Sequence, residues 1–586
     1  MDLQKIDPEK LDSSSSNNSS STPAKKAWSS KLEYFLSCIS YGVGLGNLWR
    51  FPYLCFEHKG FTFLIPYLIC LFTCGLPLCI LEGFLGQFSA CSSITVWRMA
   101  PMFEGIGWGE LIMTFVCTVY YNVIVAYALY YVFVSFGSIF GGSAGVLPFA
   151  EGSSFCLGKY AEYLKNTNTT NAASCAEYYY NTIVLQETEN TEFKYSSGLL
   201  DINWPLVGTL ILAWIIIFYS QSRGTESTGK ISYITSILPY FCLTALLFGT
   251  IFLDGAVSVG LKKYVSIDWK HLKGTKVWKD AATQIFYSQG PAWGVLINYA
   301  SHNKFNHNIY SHAWKLSFIN AATSIYGGIV VFSTLGFLAF SENDGNVDLA
   351  LLNFEKVVQQ TFKLAFVVYP TAVSQMPFPI FWSILFFIML STLGVGTQVG
   401  LFMACYESLL DKFKILKRNK LASLAFLVLL EFIVAYPMIT RSGSAWLEVF
   451  DWSVCAVSIF IFGLLETIAV AWIYGIDNFI SDAEEMLNYN LPLRNFWRYT
   501  WLFITPTVCS FIIFLNIYNY AVTGFKLSSS WPVSVNLTGW CIQLIQIVPI
   551  FVFIFLKMRP EDRKMKDSYF RNRDQQKGLM DDSSSE

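Results

Sequence analysis

The sequence predicts an all-α polytopic membrane protein with twelve transmembrane helices, and three observations predict it. Only 14% of the 586 residues are charged, while 53% are hydrophobic and 17% aromatic. Ordinary soluble domains carry roughly 25% charged residues. Mean hydropathy is +0.42. Between polar ends lie twelve apolar stretches long enough to cross the bilayer as helices; the hydrocarbon to be crossed is ~30 Å thick. Two of those stretches carry matching interruptions. Lys plus Arg is 40 and Asp plus Glu is 41, a net charge of −1. No excess of cations is available to neutralise phosphates, so no nucleic-acid partner is expected.

The first residues, 1–27, are rich in Ser and Asn and read as a disordered cytoplasmic tail. The expected spans run 32–56, 62–88, 109–138, 204–220, 230–253, 281–302, 313–340, 379–408, 419–437, 447–474, 497–518 and 535–556. Residues 28–475 form the expected core, 476–556 the last two helices and their connections, and 557–586 a second cytoplasmic tail. An even number of spans puts both termini on one side. Lys25, Lys26 and Lys31 precede the first span. Lys412, Lys414, Lys417, Arg418 and Lys420 fill the 411–420 connection, and Lys557, Arg559, Arg563 and Lys564 follow the last span. The positive-inside rule makes all three cytoplasmic. The 254–279 connection has six lysines yet falls outside, against the rule.

The largest connection, about 141–203, is then extracellular. It holds Cys156 and Cys175, a disulfide candidate in an oxidising compartment, and the glycosylation sequon Asn168-Thr169-Thr170.

Span 1 reads SCISYGVGLGNLWRFPYLC and span 6 reads QIFYSQGPAWGVLINYAS. Glycine and proline at mid-depth break the helices. Lipid cannot satisfy the freed backbone groups, so such breaks are buried in protein or line a cavity. Interruptions five spans apart point to inverted five-helix repeats with a binding site at the midplane. Free N–H groups of half-helices favour an anion there, and unwound carbonyls a hard cation.

The segments WSSKLEYFLSCISYGVGLGNLWRFPYLC, FLIPYLICLFTCGLPLCILEGFLGQF, TVYYNVIVAYALYY and WKDAATQIFYSQGPAWGVLINYASHNKF resemble the neurotransmitter:sodium symporter family (solute carrier family 6), over about residues 25–556. The resemblance implies a leucine-transporter-like fold and a transporter rather than an enzyme. It implies a first sodium site at Gly42, Asn47, Ser288 and Asn320, completed by the substrate carboxylate. A second sodium site falls on Ser40, Val43, Leu393 and Thr397. Chloride falls on Tyr67, Gln284, Ser288 and Ser324. Substrate contacts fall on Gly44, Gly46, Tyr121, Tyr287, Gly290, Trp293 and Gln398. The outer gate is Arg50 with Asp451; the inner gate is Lys25 with Asp411, beside Trp28. Glu82 is expected to cap backbone freed by the span 6 break, and Glu466 is left as structural.

Four departures from the family pattern shape the expectation. Gly44 stands where monoamine carriers have aspartate, which favours a ligand with its own carboxylate and a neutral side chain. Gly396, in TLGVGTQ, stands where aspartate is usual. The second sodium site is therefore expected to be weaker, a pattern resembling invertebrate nutrient amino acid transporters. EHKGFTF replaces NGGGAF, and His302 replaces an inner-gate tyrosine. The expected function is sodium-coupled, chloride-assisted import of a neutral amino acid across the plasma membrane. The alternatives are GABA, glycine, betaine, taurine or a monoamine as substrate, or a non-transporting amino acid receptor. The oligomeric state is left open.

Overall fold

The computed structural model describes residues 25–140, 146–166, 174–187, 201–358, 362–454, 457–524, 527–528 and 531–557. Among them helix dominates, and one isolated bridge joins Ile202 to Thr440. The first long helix is two pieces, α1 (Lys31–Gly42) and α2 (Phe51–Glu57), joined through Val43–Leu45 and a wide π-type turn at Gly46–Arg50. Ser30 caps α1 by accepting from Glu33 N at 3.1 Å, while Ser29 N donates to the Glu33 carboxylate at 3.2 Å. Then follow α3 (Gly60–Ser89), α4 (Pro101–Phe140), α5 (Trp204–Gln221) and α6 (Thr225–Thr250). The sixth span is again two pieces, α7 (Thr275–Gln289) and α8 (Val295–Ala300). After it come α9 (Ile309–Glu342), the short α10 (Val347–Val357), α11 (Pro379–Lys412) and α12 (Lys420–Val434). The chain closes with α13 (Gly443–Val454), α14 (Ser458–Ile468), α15 (Ile476–Leu487), α16 (Arg494–Val522) and α17 (Val533–Leu556).

Nine helical stretches among the described residues are long and apolar enough to cross a membrane. The other three expected spans fall short for visible reasons. Spans 1 and 6 are divided by their breaks, and α12 is only 15 residues long. Span 10 continues past its expected end at 474, through a wide turn into α15.

Small hydroxyls stitch the inner helices together, as expected where lipid gives no hydrophobic drive between them. Ser37 donates to Ser232 at 3.0 Å between α1 and α6, and Ser135 pairs with Ser383 at 2.7 Å between α4 and α11. Large apolar side chains point outward on the peripheral helices, such as Phe551 and Phe555 on α17.

The lysine-rich connection that runs against the charge rule is partly neutralised. Lys276 pairs with Glu57, and Lys279 lies 3.8 Å from Asp280. Cys156 and Cys175 are joined as a disulfide with Cα atoms 5.9 Å apart. Asn168, the glycosylation candidate, lies outside the described residues, as do residues 1–24 and 558–586.

Candidate functional site

The two breaks meet in the middle of the bundle. In the second, Gly290, Ala292 and Gly294 all take positive φ, at 72°, 62° and 71°. No helix survives three left-handed residues in five, which is why the sequence places two glycines there. Glu82 reaches across from α3, its Oε1 accepting from Ala292 N at 2.6 Å. The expected capping of freed backbone is therefore present. Tyr41 of α1 donates to the Gly290 carbonyl at 3.0 Å, so the Gly290 Cα faces the Tyr41 ring.

Beside the first break the buried amides form one network. Asn47 Nδ2 donates to Asn320 Oδ1 and to Ser324 Oγ, each at 2.8 Å, and Asn47 Oδ1 accepts from Gly44 N at 3.1 Å. Ser288 Oγ lies 3.1 Å from Asn320 Oδ1. A Cβ on Gly42 would lie 3.6 Å from the Ser288 carbonyl oxygen. Asn47, Ser288 and Asn320 of the expected first sodium site thus share one hydrogen-bond network, with Gly42 packed against Ser288; the oxygens they carry are uncharged, the kind that suits a hard cation.

The expected chloride residues adjoin this cluster. Tyr67 OH lies 3.5 Å from Ser324 Oγ, and Gln284 Nε2 donates to the Gly46 carbonyl at 3.2 Å. All four are buried, and Gln284 Oε1 has no hydrogen-bond partner among the described residues. The Tyr67, Ser288 and Ser324 hydroxyls could serve an anion here, with Gln284 turning its Nε2 from the Gly46 carbonyl; bound, the ion would supply negative charge directly beside the amide cluster.

The second expected sodium site is assembled from facing helices. Thr397 Oγ1 of α11 donates to the Tyr41 carbonyl at 3.1 Å, and Leu393 lies one turn earlier on the same helix. Ser40 and Val43 are buried at the end of α1. The surroundings of Gly396 give its absent side chain a physical reason. Ser40 Oγ is held by Thr235 Oγ1 at 2.6 Å. A Cβ on Gly396 would collide with that hydroxyl and lie 2.7 Å from the Ser40 carbonyl oxygen. Thr235 was invisible to sequence reasoning, since the contact crosses 195 residues.

The expected substrate residues surround the same region. A Cβ on Gly44 would collide with Thr397 Oγ1 and approach Tyr121 OH at 3.3 Å, so an aspartate there would have to displace Thr397. Gly46, in contrast, faces open space, with nothing within 4 Å of its Cβ position. Gly44 N–H is already spent on Asn47; Leu45 N lies 3.5 Å from Tyr121 OH. Tyr287 and Trp293 meet edge to face at 6.2 Å, and Thr114 holds the Trp293 carbonyl at 3.1 Å. Gln398 donates to the Thr118 carbonyl at 2.9 Å, while its Oε1 lacks a partner among the described residues.

The gate residues divide. Lys25 Nζ and Asp411 Oδ2 are paired at 2.6 Å, and Lys417 and Ser92 N also bind Asp411. Trp28 Nε1 donates to the Tyr299 carbonyl at 2.9 Å, and Trp28 N to the His302 carbonyl at 3.2 Å. His302 Nδ1 closes the loop 2.9 Å from the Lys26 carbonyl. Arg50 and Asp451 form no ion pair in this structure; instead the Arg50 guanidinium lies 4.0 Å above the Tyr287 ring. Cation–π contact gives the half-buried guanidinium a partner. The structure therefore has the inner pair in direct contact, while Arg50 acts on Asp451 across a longer distance.

One group was missed. Glu110 is fully buried, and its Oε2 lies 2.9 Å from where a Cβ on Gly294 would sit. With Glu82 and Glu466 it makes three buried carboxyls behind the second break: Glu82 accepts from Ala292 N, and Glu110 and Glu466 meet side chain to side chain. A charge at depth in a span was the available signal.

Two interrupted helices meeting at a buried, uncharged, oxygen-lined centre inside an apolar bundle define a secondary transporter rather than an enzyme. The chain belongs to the Sodium:neurotransmitter symporter family, which it matches over residues 25–561. It is 36% identical over 567 residues to the sodium- and chloride-dependent glycine transporter 2 of Xenopus laevis, covering 91% of this chain and 69% of that one. It is 34% identical to the sodium- and chloride-dependent neutral and basic amino acid transporter B(0+) of Mus musculus, covering 91% and 85%. It is also 34% identical to the creatine transporter of Torpedo marmorata, covering 90% and 84%.

Proposed function

We propose that this membrane protein imports a neutral amino acid across the plasma membrane, coupled to sodium and assisted by chloride. Both termini are cytoplasmic in this reading. The observation that carries it is the set of neutral groups around Gly44: Tyr121 and Thr397 against it, and the Asn47–Asn320–Ser288 cluster beside it. A ligand bound there must bring its own carboxylate to meet sodium and the Tyr121 hydroxyl. The side chains nearest Gly44, Thr397 and Tyr121, are neutral, which favours a neutral ligand over the basic substrates that one relative's name includes. The unpartnered Gln398 Oε1 favours a side chain able to donate a hydrogen bond.

Sodium is cargo in this scheme. It occupies the Asn47 cluster together with the substrate carboxylate, and the Ser40–Thr397 site separately. In this reading the joined Lys25–Asp411 pair holds the inner gate shut, and Arg50 rests on the Tyr287 ring. Closing proceeds by Arg50 leaving the Tyr287 ring for Asp451; opening inward proceeds by release of Lys25 from Asp411.

Tyr121→Phe tests the substrate assignment. Loss of one hydrogen bond to a carboxylate costs about 1.5–3 kcal/mol, so the KM for a neutral amino acid should rise about 10- to 100-fold. An unchanged KM, or effective competition by monoamines that lack a carboxylate, would overturn the reading.

A further inference from the structure

The EHKGFTF segment, at the opposite end of the first long helix from Lys25, plays no part in the account above. His58 terminates α2 and is buried, 1% exposed. Its ring stacks on Phe63 at 5.5 Å and 11°. Its Nε2 lies 2.9 Å from Asp280 Oδ2, in the second turn of α7, and its Nδ1 lies 2.9 Å from His271 Nε2 in the connection before α7. The Glu57 carboxylate joins them. One ligand-type atom each from Glu57, His58 and Asp280 lies within 4.8 Å of the others. This is a mixed nitrogen and oxygen set rather than a purely acidic patch. The side chains of Glu57 and Asp280 are 27% and 16% exposed, so an ion from solvent can reach it.

We propose that Glu57, His58 and Asp280 bind a zinc(II) ion, with His271 as the outer partner that orients His58. One imidazole and two carboxylates suit zinc, leaving a water as fourth ligand. With bonds of about 2.0–2.2 Å, the ligands of a tetrahedral zinc sit about 3.3 Å apart. The 2.9 Å separation of His58 Nε2 and Asp280 Oδ2 thus needs to open by only a few tenths of an ångström. His58 binds metal through Nε2 and keeps its single proton on Nδ1, donated to His271 Nε2. A metal-bound imidazole characteristically has such a partner on its other nitrogen. The competitors are two ammonium groups. Lys276, with 64% of its side chain exposed, can leave Glu57 for solvent, and Lys279 is already 3.8 Å from Asp280.

The ion would join α2 to α7, the two half-helices that run directly into the central breaks. Metal at this site holds them in one relative position, so zinc would alter sodium-dependent uptake without entering the substrate site.

The probe is cobalt(II), whose visible absorption reports tetrahedral binding, titrated into the purified full chain in lipid nanodiscs and then displaced by zinc. One equivalent should bind at micromolar concentration. His58→Gln and Asp280→Asn should abolish the band, while Asp280→Asn leaves a hydrogen-bonding amide that preserves the fold. Glu57→Gln should weaken binding, and His271→Gln should weaken it about 10- to 100-fold. His312→Gln, remote from the cluster, should leave it intact. No band at millimolar cobalt, or a band that survives both His58→Gln and Asp280→Asn, would overturn the proposal. Either result is read from binding alone, apart from whether the protein carries amino acids.

Discussion

Asn47 joins the expected sodium and chloride residues, so its removal gives the sharpest internal test. Its amide donates to Asn320 Oδ1 and Ser324 Oγ, both at 2.8 Å, and accepts from Gly44 N at 3.1 Å. Each bond contributes about 1 kcal/mol net, so Asn47→Ala forfeits about 3 kcal/mol of organisation around the ion. It also takes away one oxygen ligand. At 1.4 kcal/mol per tenfold, the sodium concentration for half-maximal uptake should rise about 100-fold. Asn47→Asp keeps an oxygen to accept from Gly44 N, so its shift should be about tenfold or less. The assay is sodium-titrated uptake in reconstituted vesicles, with thermal unfolding of each variant measured alongside. An Asn47→Ala protein that folds and shows unchanged sodium dependence would refute the assignment.

Three further outcomes are expected. Glu82→Ala leaves Ala292 N–H unpaired and should destabilise the protein by about 1–3 kcal/mol more than Glu82→Gln, read as thermal unfolding; equal stabilities would remove the capping role. Gly396→Asp should cut sodium-dependent uptake at least tenfold, because its Cβ collides with the Ser40 hydroxyl; a gain in sodium affinity would show that Ser40 yields freely. Burial, then His312 and Lys31, push the His307 imidazole down to about 4 from 6.5. The unfolded chain therefore takes up the proton first, so this stability is present above pH 6.5 and lost as pH falls toward 4. His307→Gln should flatten that acid limb of the unfolding temperature, and an unaltered profile would contradict the sign.

Both breaks were legible in the sequence, because Gly42, Gly44 and Gly46 and then Gly290, Pro291 and Gly294 sit where lipid forbids free backbone. The reach of Glu82 to the second break was legible for the same reason: an intramembrane carboxylate needs a donor, and the break supplies one. Span limits were close, but α12 ended early, at Val434, where the chain turns through Tyr436–Ile439 and Pro437 has no N–H to continue the helix. Contacts between distant segments were not legible. Nothing near Gly396 in sequence announces that Ser40 and Thr235 fill the space beside it, and nothing near His58 announces Asp280. Arg50 was expected from the resemblance to face Asp451; that its guanidinium also lies over the Tyr287 ring was not legible.

Accumulation of a labelled neutral amino acid in proteoliposomes, driven only by an inward sodium gradient, tests the central claim most directly. The account predicts uptake above the outside concentration with sodium and chloride, and none when choline replaces sodium. Binding without accumulation, or accumulation indifferent to sodium, would contradict it.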